Sequence, residues 1–236
     1  MKTVNDPSGS PGIGTLGERS LHAALKQWYA RPGDALEAKV DGYHVDIVRG
    51  DLLIEIQTRN FAALRPKLER LTAGRRVRLV HPIAEQKWIV RLAPDGLTPL
   101  GRRRSPRRGR LLDVFQELVS IPRLLARPGF SVEVLLIEEE EVRRVDATRR
   151  RRRKEWSAFD RRLIGVSARH ELSGPASFAA LLPATLPEPF CTADLAREAA
   201  CTRHLARRIA YCLREAGCLA VDGKLGNAIV YRRTPQ

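Results

Sequence analysis

A chain of 236 residues with 43% hydrophobic and 29% charged side chains can build one large domain or two small ones. Its net charge of +15 rests on arginine, 35 residues against 7 lysines, which suits polyanions and above all nucleic acid. No apolar run nears the ~20 residues of a bilayer span, and "MKTVNDPSGSPGIGT" has no apolar signal segment, so neither secretion nor a membrane partner is expected. The expected compartment is the cytoplasm, with association with a prokaryotic nucleoid left open.

Residues 1–13 read as a flexible lead, and 14–95 as a compact core. "TLGERSLHAALKQWYA" places Leu21, Ala24, Leu25 and Trp28 at helical spacing, and Arg31-Pro32-Gly33 ends that helix. "ALEAKV", "YHVDIV" and "LLIEIQ" read as three strands divided by the turn signals Asp41-Gly42 and Arg49-Gly50-Asp51. "NFAALRPKLERLTAG" follows as a helix with Asn60 at its N-cap, Gly74 as its stop and Pro66 as a kink. "RVRLVHPI" and "KWIVRLA" supply two more strands, so the order is α-β-β-β-α-β-β.

Residues 96–110 hold six arginines between 102 and 110 among Pro and Gly, and read as a mobile basic linker. Residues 111–172 read as two short helices broken at Pro122 and a strand pair joined by a second basic run. A homodimer contact through that pair, 131–172, is left open. Four cysteines (191, 201, 212 and 218) cluster near the C-terminus without a C-x-x-C pair, which favours small core thiols over a zinc site with His204.

Charge in the core is placed as a cation site would need it. On "LLIEIQ" Glu55 and Gln57 share a face, and a hairpin at Gly50 brings Asp46 of "YHVDIV" within cross-strand reach of Glu55. Two carboxylates on apolar strands repel unless a cation lies between them. Glu18, on the inward stripe with Leu21, His22 and Leu25, adds a third. Hard oxygen donors in that number suit Mg²⁺ or Mn²⁺.

Gly17-Glu18, Glu37 and Asp46-x₈-Glu55-x-Gln57 together resemble the PD-(D/E)xK nuclease superfamily over roughly residues 12–93. The resemblance implies an α/β, restriction-endonuclease-like α-β-β-β-α-β core with a mixed sheet. It also implies metal binding by Asp46, Glu55 and Glu18, with Glu37 a weaker candidate. Gln57 stands where the family carries lysine. Lys67 on the following helix, near Arg59 and Arg65, can supply the missing charge, as happens in some members.

From residue 173 onward the order helix, "CTADLAREAA" capped by Thr192, "TRHLARRIAYCLREAG" capped by Thr202, and the hairpin "CLAVDGKLGNAIVYRR" has the pattern of an α+β winged helix. Arg203, Arg207 and Arg208 on its third helix and Lys224 on its wing are candidates for nucleic-acid contacts. So are Arg102, Arg103, Arg104, Arg151 and Arg152 in the basic runs. The sequence thus points to a Mg²⁺-dependent DNA nuclease. The alternative is an inactive nuclease fold kept for DNA binding or as a regulatory adaptor. No G-x-S-x-G, P-loop or H-E-x-x-H motif points to other chemistry.

Overall fold

The computed structural model describes residues 19–145 and 156–235. Helix α1 (Arg19–Tyr29) repeats Leu21, Leu25 and Tyr29 at intervals of four, and all three are buried. Strands β1 (Ala35–Val40), β2 (Tyr43–Arg49) and β3 (Leu52–Ile56) form an antiparallel meander. Its first turn is Asp41-Gly42, with φ of 48° and 89°, the doubly left-handed pair that a two-residue hairpin requires.

Helix α2 (Phe61–Leu71) then crosses to β4 (Arg76–Leu92), which runs parallel to β3. Parallel strands need such a crossover. Strand β6 (Phe130–Val145) lies parallel to β4 on its other side, and β7 (Trp156–Ser173) closes the sheet antiparallel to β6. The sheet order is β1-β2-β3-β4-β6-β7, with β5 (Pro99–Arg104) alongside the far half of β4. The protein is therefore α/β with a mixed sheet.

The two faces of the sheet have separate cores. On one side α1 covers Ile47, Ile54, Ile56, Val80, Leu135 and Ile137. On the other, Phe61, Leu68 and Leu71 of α2 meet Val45, Leu53, Val77 and Leu79. That second core continues through the one-turn helix α3 (Phe115–Leu118) and the 3-10 turn at Pro122–Ala126 into the C-terminal unit. The unit comprises α4 (Gly174–Ala179), β8 (Phe190–Cys191), α5 (Thr192–Glu198), α6 (Arg203–Glu215), β9 (Leu219–Leu225) and β10 (Ala228–Arg233), with sheet order β8-β10-β9. All four cysteines are free, Cys212 and Cys218 buried and Cys191 and Cys201 half-buried.

Several expectations change. Residues 99–104 are not a mobile linker but strand β5, with Trp88 opposite Arg104 and Val90 opposite Arg102. "RVRLVHPI" and "KWIVRLA" are one strand, interrupted only by a register shift between Ala84 and Gln86. Pro82 is tolerated where β4 has left β3 and not yet met β5, so its missing N–H costs little. Residues 131–172 continue the main sheet, and β6 has neighbours on both sides.

Local details shift as well. Trp28 is exposed, and Tyr29 takes its place in the core. Thr192 is the first residue of α5; Cys191 precedes it as cap, its amide bonded to Asp194 at 3.0 Å. Asn60 does stand at the N-cap of α2, but in a left-handed conformation and without capping through its side chain. Glu117 accepts the Phe61 amide instead, at 3.1 Å. Thr202 does cap α6, accepting from the Leu205 amide at 3.2 Å.

The segment returning from β5 closes against β4 at Gly109, whose amide donates to the Ala84 carbonyl at 2.8 Å. A Cβ there would stand 2.5 Å from Ile83 Cγ2 and 2.8 Å from the Ala84 oxygen. Gly109→Ala is expected to lower stability by about 1–3 kcal/mol through this overlap. Gly165→Ala, with nothing within 4 Å, is expected to change it by under about 0.5 kcal/mol. Urea unfolding midpoints of the two variants check the contrast.

A candidate active site where two strands part

Asp46 sits where the regular alternation of β2 fails. Val45 packs in the α2-side core and Ile47 in the α1-side core, although residues two apart on a strand share a face. The irregularity faces Glu37 on β1, which has φ 49°, and the β1–β2 ladder has Leu36↔Ile47 and Ala38↔Val45 but no pair between them. Glu37 turns to pair with Lys26 of α1.

On its other side, β2 pairs with β3 as far as Ile47↔Ile54. Continuing that register by one residue sets Asp46 opposite Glu55. There the strands separate, and the Ile56 amide donates to Asp46 Oδ2 at 2.8 Å instead of to a backbone carbonyl. His22 Nε2 lies 3.2 Å from the same oxygen. Burial by itself would raise the Asp46 carboxyl, but His22 and the Ile56 amide outweigh it and hold the group below its ordinary range. The same hydrogen bond raises His22 above its ordinary value, against its own partial burial.

Glu55 is 4% exposed and faces α2. Burial pushes its carboxyl up to about 7; Lys67 opposes the rise and the charge of Asp46 adds to it. Lys67 Nζ stands 2.6 Å from Glu55 Oε1 and also donates to the His44 carbonyl. Close as that ammonium is, Oε1 has no donor at hydrogen-bond angles, so the contact is one of charge. The packing of α2 on the sheet thus brings Lys67 to the strand acid.

Gln57 lies just past β3. Its amide nitrogen donates to the Arg59 carbonyl at 2.6 Å, which ties the side chain into the β3–α2 turn. Its backbone carbonyl meets buried His81 Nδ1 at 2.8 Å. An open cleft of about 540 Å³ runs between α1 and this turn, lined by His22, Lys26, Gln57, Arg59 and Asn60. His22, which lines this cleft, is the partner of Asp46, and cationic walls suit the approach of a phosphodiester.

Glu18 lies outside the described residues, as do Arg151 and Arg152. Among the described residues no group of three or more His, Cys, Asp or Glu side chains gathers as a metal site. Asp46 and Glu55 are the pair they offer.

The expected nucleic-acid contacts separate into two kinds. Arg203, Arg207 and Lys224 are exposed on α6 and β9. Arg208 is not available in this way, because it donates to the Gln116 carbonyl at 2.7 Å and fastens α6 to the core. On β5, Arg102 stacks 3.8 Å over the Trp88 ring and pairs with Glu140 at 2.8 Å. Arg104 donates to Gln86 at 2.7 Å, and Arg103 is exposed.

His22 is half-buried, and its pairing with Asp46 at 3.2 Å was not visible in the sequence, where only its place on the stripe of Leu21 and Leu25 could be read. The exposed ring of Tyr211 on α6 was not singled out there either.

Residues 19–173 match the family described as Domain of unknown function (DUF8091), and the chain belongs to that family. The match ends where β7 gives way to α4. An uncharacterized protein of Treponema pallidum (strain Nichols) is 30% identical over 224 residues, which cover 94% of this chain and 88% of that protein. No solved structure matches the chain significantly. Among the described residues no helix is long and apolar enough to cross a membrane.

Proposed function

We propose that this chain is a metal-dependent nuclease that hydrolyses DNA phosphodiester bonds. In this reading its core is restriction-endonuclease-like and its C-terminal unit is a winged helix that holds nucleic acid. The observation that carries the proposal is the register that sets Asp46 opposite Glu55 where β2 and β3 part, with Lys67 beside Glu55. The α-β-β-β-α-β order, with three antiparallel strands and a fourth parallel to the third, supports it. The order α4-β8-α5-α6-β9-β10 supports the winged helix.

The donor set fits a hard cation. Glu55 Oε1 is buried without a directed donor, and its charged form is disfavoured as it stands. Lys67 supplies charge there at 2.6 Å, and a divalent ion is a second cation that a buried carboxylate oxygen can take. Asp46 and Glu55 would hold Mg²⁺ or Mn²⁺, which when bound supplies a water of lowered pKa and polarises the scissile phosphate. Lys67 provides positive charge next to Glu55. His22 and the Ile56 amide fix the Asp46 carboxylate, and Gln57 holds the turn that forms the cleft wall. Lys26 and the Arg59 guanidinium attract the substrate backbone.

A second reading is favoured by the fact that both acids already have basic neighbours, His22 at 3.2 Å and Lys67 at 2.6 Å. It is a non-catalytic DNA-binding or regulatory protein on the same scaffold. Incubating plasmid and linear DNA with the chain in Mg²⁺, Mn²⁺ or EDTA separates the two. Cleavage with metal alone is expected. Salt-sensitive binding in EDTA with no cleavage in either metal would leave the second reading. Absence of binding at physiological salt would sink both and point to a protein-interaction adaptor.

A further inference from the structure

A second cleft, of about 740 Å³, opens between α2, the 119–127 segment and α6, within the roughly 300–1,000 Å³ range of ligand-sized pockets. Its floor includes Pro122 and Leu124, and Tyr211 lines it from α6. Arg65, Arg123 and Arg127 stand on its walls against one acid, Glu69. We propose that this cleft binds a single-stranded segment of nucleic acid, stacking an unpaired base on Tyr211 and taking phosphates on Arg65, Arg123 and Arg127. The proposal rests on the nucleic-acid half of the function above and is independent of cleavage.

The lining chooses the occupant. Tyr211 is 38% exposed, and the Arg214 guanidinium lies 5.6 Å from its ring centre. An exposed ring beside guanidinium groups is the platform on which unpaired bases stack. A duplex keeps its bases stacked inside and offers phosphates, so the ring and the apolar floor would have no counterpart in it.

The existing ion pairs do not obstruct binding. Arg65 meets Glu69 at 2.8 Å with both exposed, and exposed Arg123 meets half-buried Glu215 at a long 3.4 Å. Pairs of that kind contribute little and exchange readily for phosphate. Arg127 makes no ion pair among the described residues.

Helix α2 joins this cleft to the carboxylates. Asn60, at its N-terminal end, lines the first cleft, while Ala62, Arg65 and Glu69 form one stripe facing the second. Asn60 and Arg65 are about 8 Å apart along the axis at 1.5 Å per residue. A strand seated on Tyr211 therefore lies along the helix whose N-terminal end borders the first cleft. A substrate with an unpaired strand, such as a frayed or branched end, fits the two clefts better than a plain duplex.

Fluorescence anisotropy in EDTA tests the site with labelled oligo-dT, oligo-U and a duplex of equal length. Tyr211→Ala should weaken single-strand binding at least roughly fivefold and leave duplex binding unchanged, while Tyr211→Phe stays close to the parent. The double variant Arg123→Ala, Arg127→Ala should flatten the logarithmic salt dependence for single strands by about 1.4, two charges at about 0.7 each. A loss seen with oligo-dT alone, or oligo-U alone, supports the site and names the sugar it takes. Unchanged single-strand binding in Tyr211→Ala, or an equal loss for the duplex, overturns it. A parent that binds no nucleic acid overturns the nucleic-acid reading as well; a parent that binds duplex alone overturns only this site.

Discussion

Asp46→Asn should abolish metal-dependent cleavage, by about a thousandfold or more, while the fold and the binding of DNA in EDTA stay intact. The side chain keeps its shape, and an amide oxygen can still accept from the Ile56 amide, now 2.8 Å from Oδ2. What is lost is one of two negative charges. Charge stabilisation by a metal is worth several kcal/mol in the transition state, and each 1.4 kcal/mol is a tenfold change in rate. His22 should report the same loss without any catalysis. Its proton is held mainly by the hydrogen bond to Asp46, so its pKa should fall in the variant, as NMR titration can follow. Cleavage at the parental rate in Asp46→Asn would remove Asp46 from the machinery. Parental cleavage by a variant whose His22 titration has moved would show that the pair exists but serves the fold alone.

Why Asp46 could be named from the sequence and its geometry could not is instructive. Turn signals at Asp41-Gly42 and Gly50-Asp51 delimit the hairpins without tertiary information, and the register carries Asp46 to Glu55 by counting. The break in alternation at Asp46 lies opposite Glu37, whose positive φ no local pattern announces and whose partner Lys26 comes from α1. Strand β5 was illegible for a different reason. "PLGRRR" has no apolar alternation, and it becomes a strand through backbone pairing to β4 and stacking of Arg102 on Trp88. Arg208 shows the limit of reading charge. Its neighbours Arg203 and Arg207 are exposed as expected, but the docking of α6 on α3 takes Arg208 for the Gln116 carbonyl. Lys67 was named from the resemblance rather than from spacing, and its contact with Glu55 emerges only when α2 packs on the sheet.

Glu55→Gln carries the largest expected effect on stability, and its sign depends on pH. The Glu55 carboxyl has an ordinary value of 4.5 and is pushed up to about 7, so the folded chain binds this proton more tightly than the unfolded chain does. Ionised Glu55 therefore costs the fold stability above pH 7. The cost disappears as the pH falls from 7 through 4.5, where both states are protonated. Its size is on the order of 3 kcal/mol, from the shift at 1.36 kcal/mol per unit. Without metal, Glu55→Gln should match the parent closely at pH 4.5 and exceed it by a few kcal/mol at pH 8. For a chain of this length that is several degrees in melting temperature. Added Mg²⁺ should stabilise the parent at pH 8, since a ligand bound only by the folded state raises stability, and should do much less for the variant. Melting curves at the two pH values, with EDTA and with Mg²⁺, measure both effects. A parent–variant gap that stays flat across that range would mean Glu55 carries no buried charge to be relieved. A gap that opens with pH but ignores Mg²⁺ and Mn²⁺ would leave the strained acid in place and remove the metal from it.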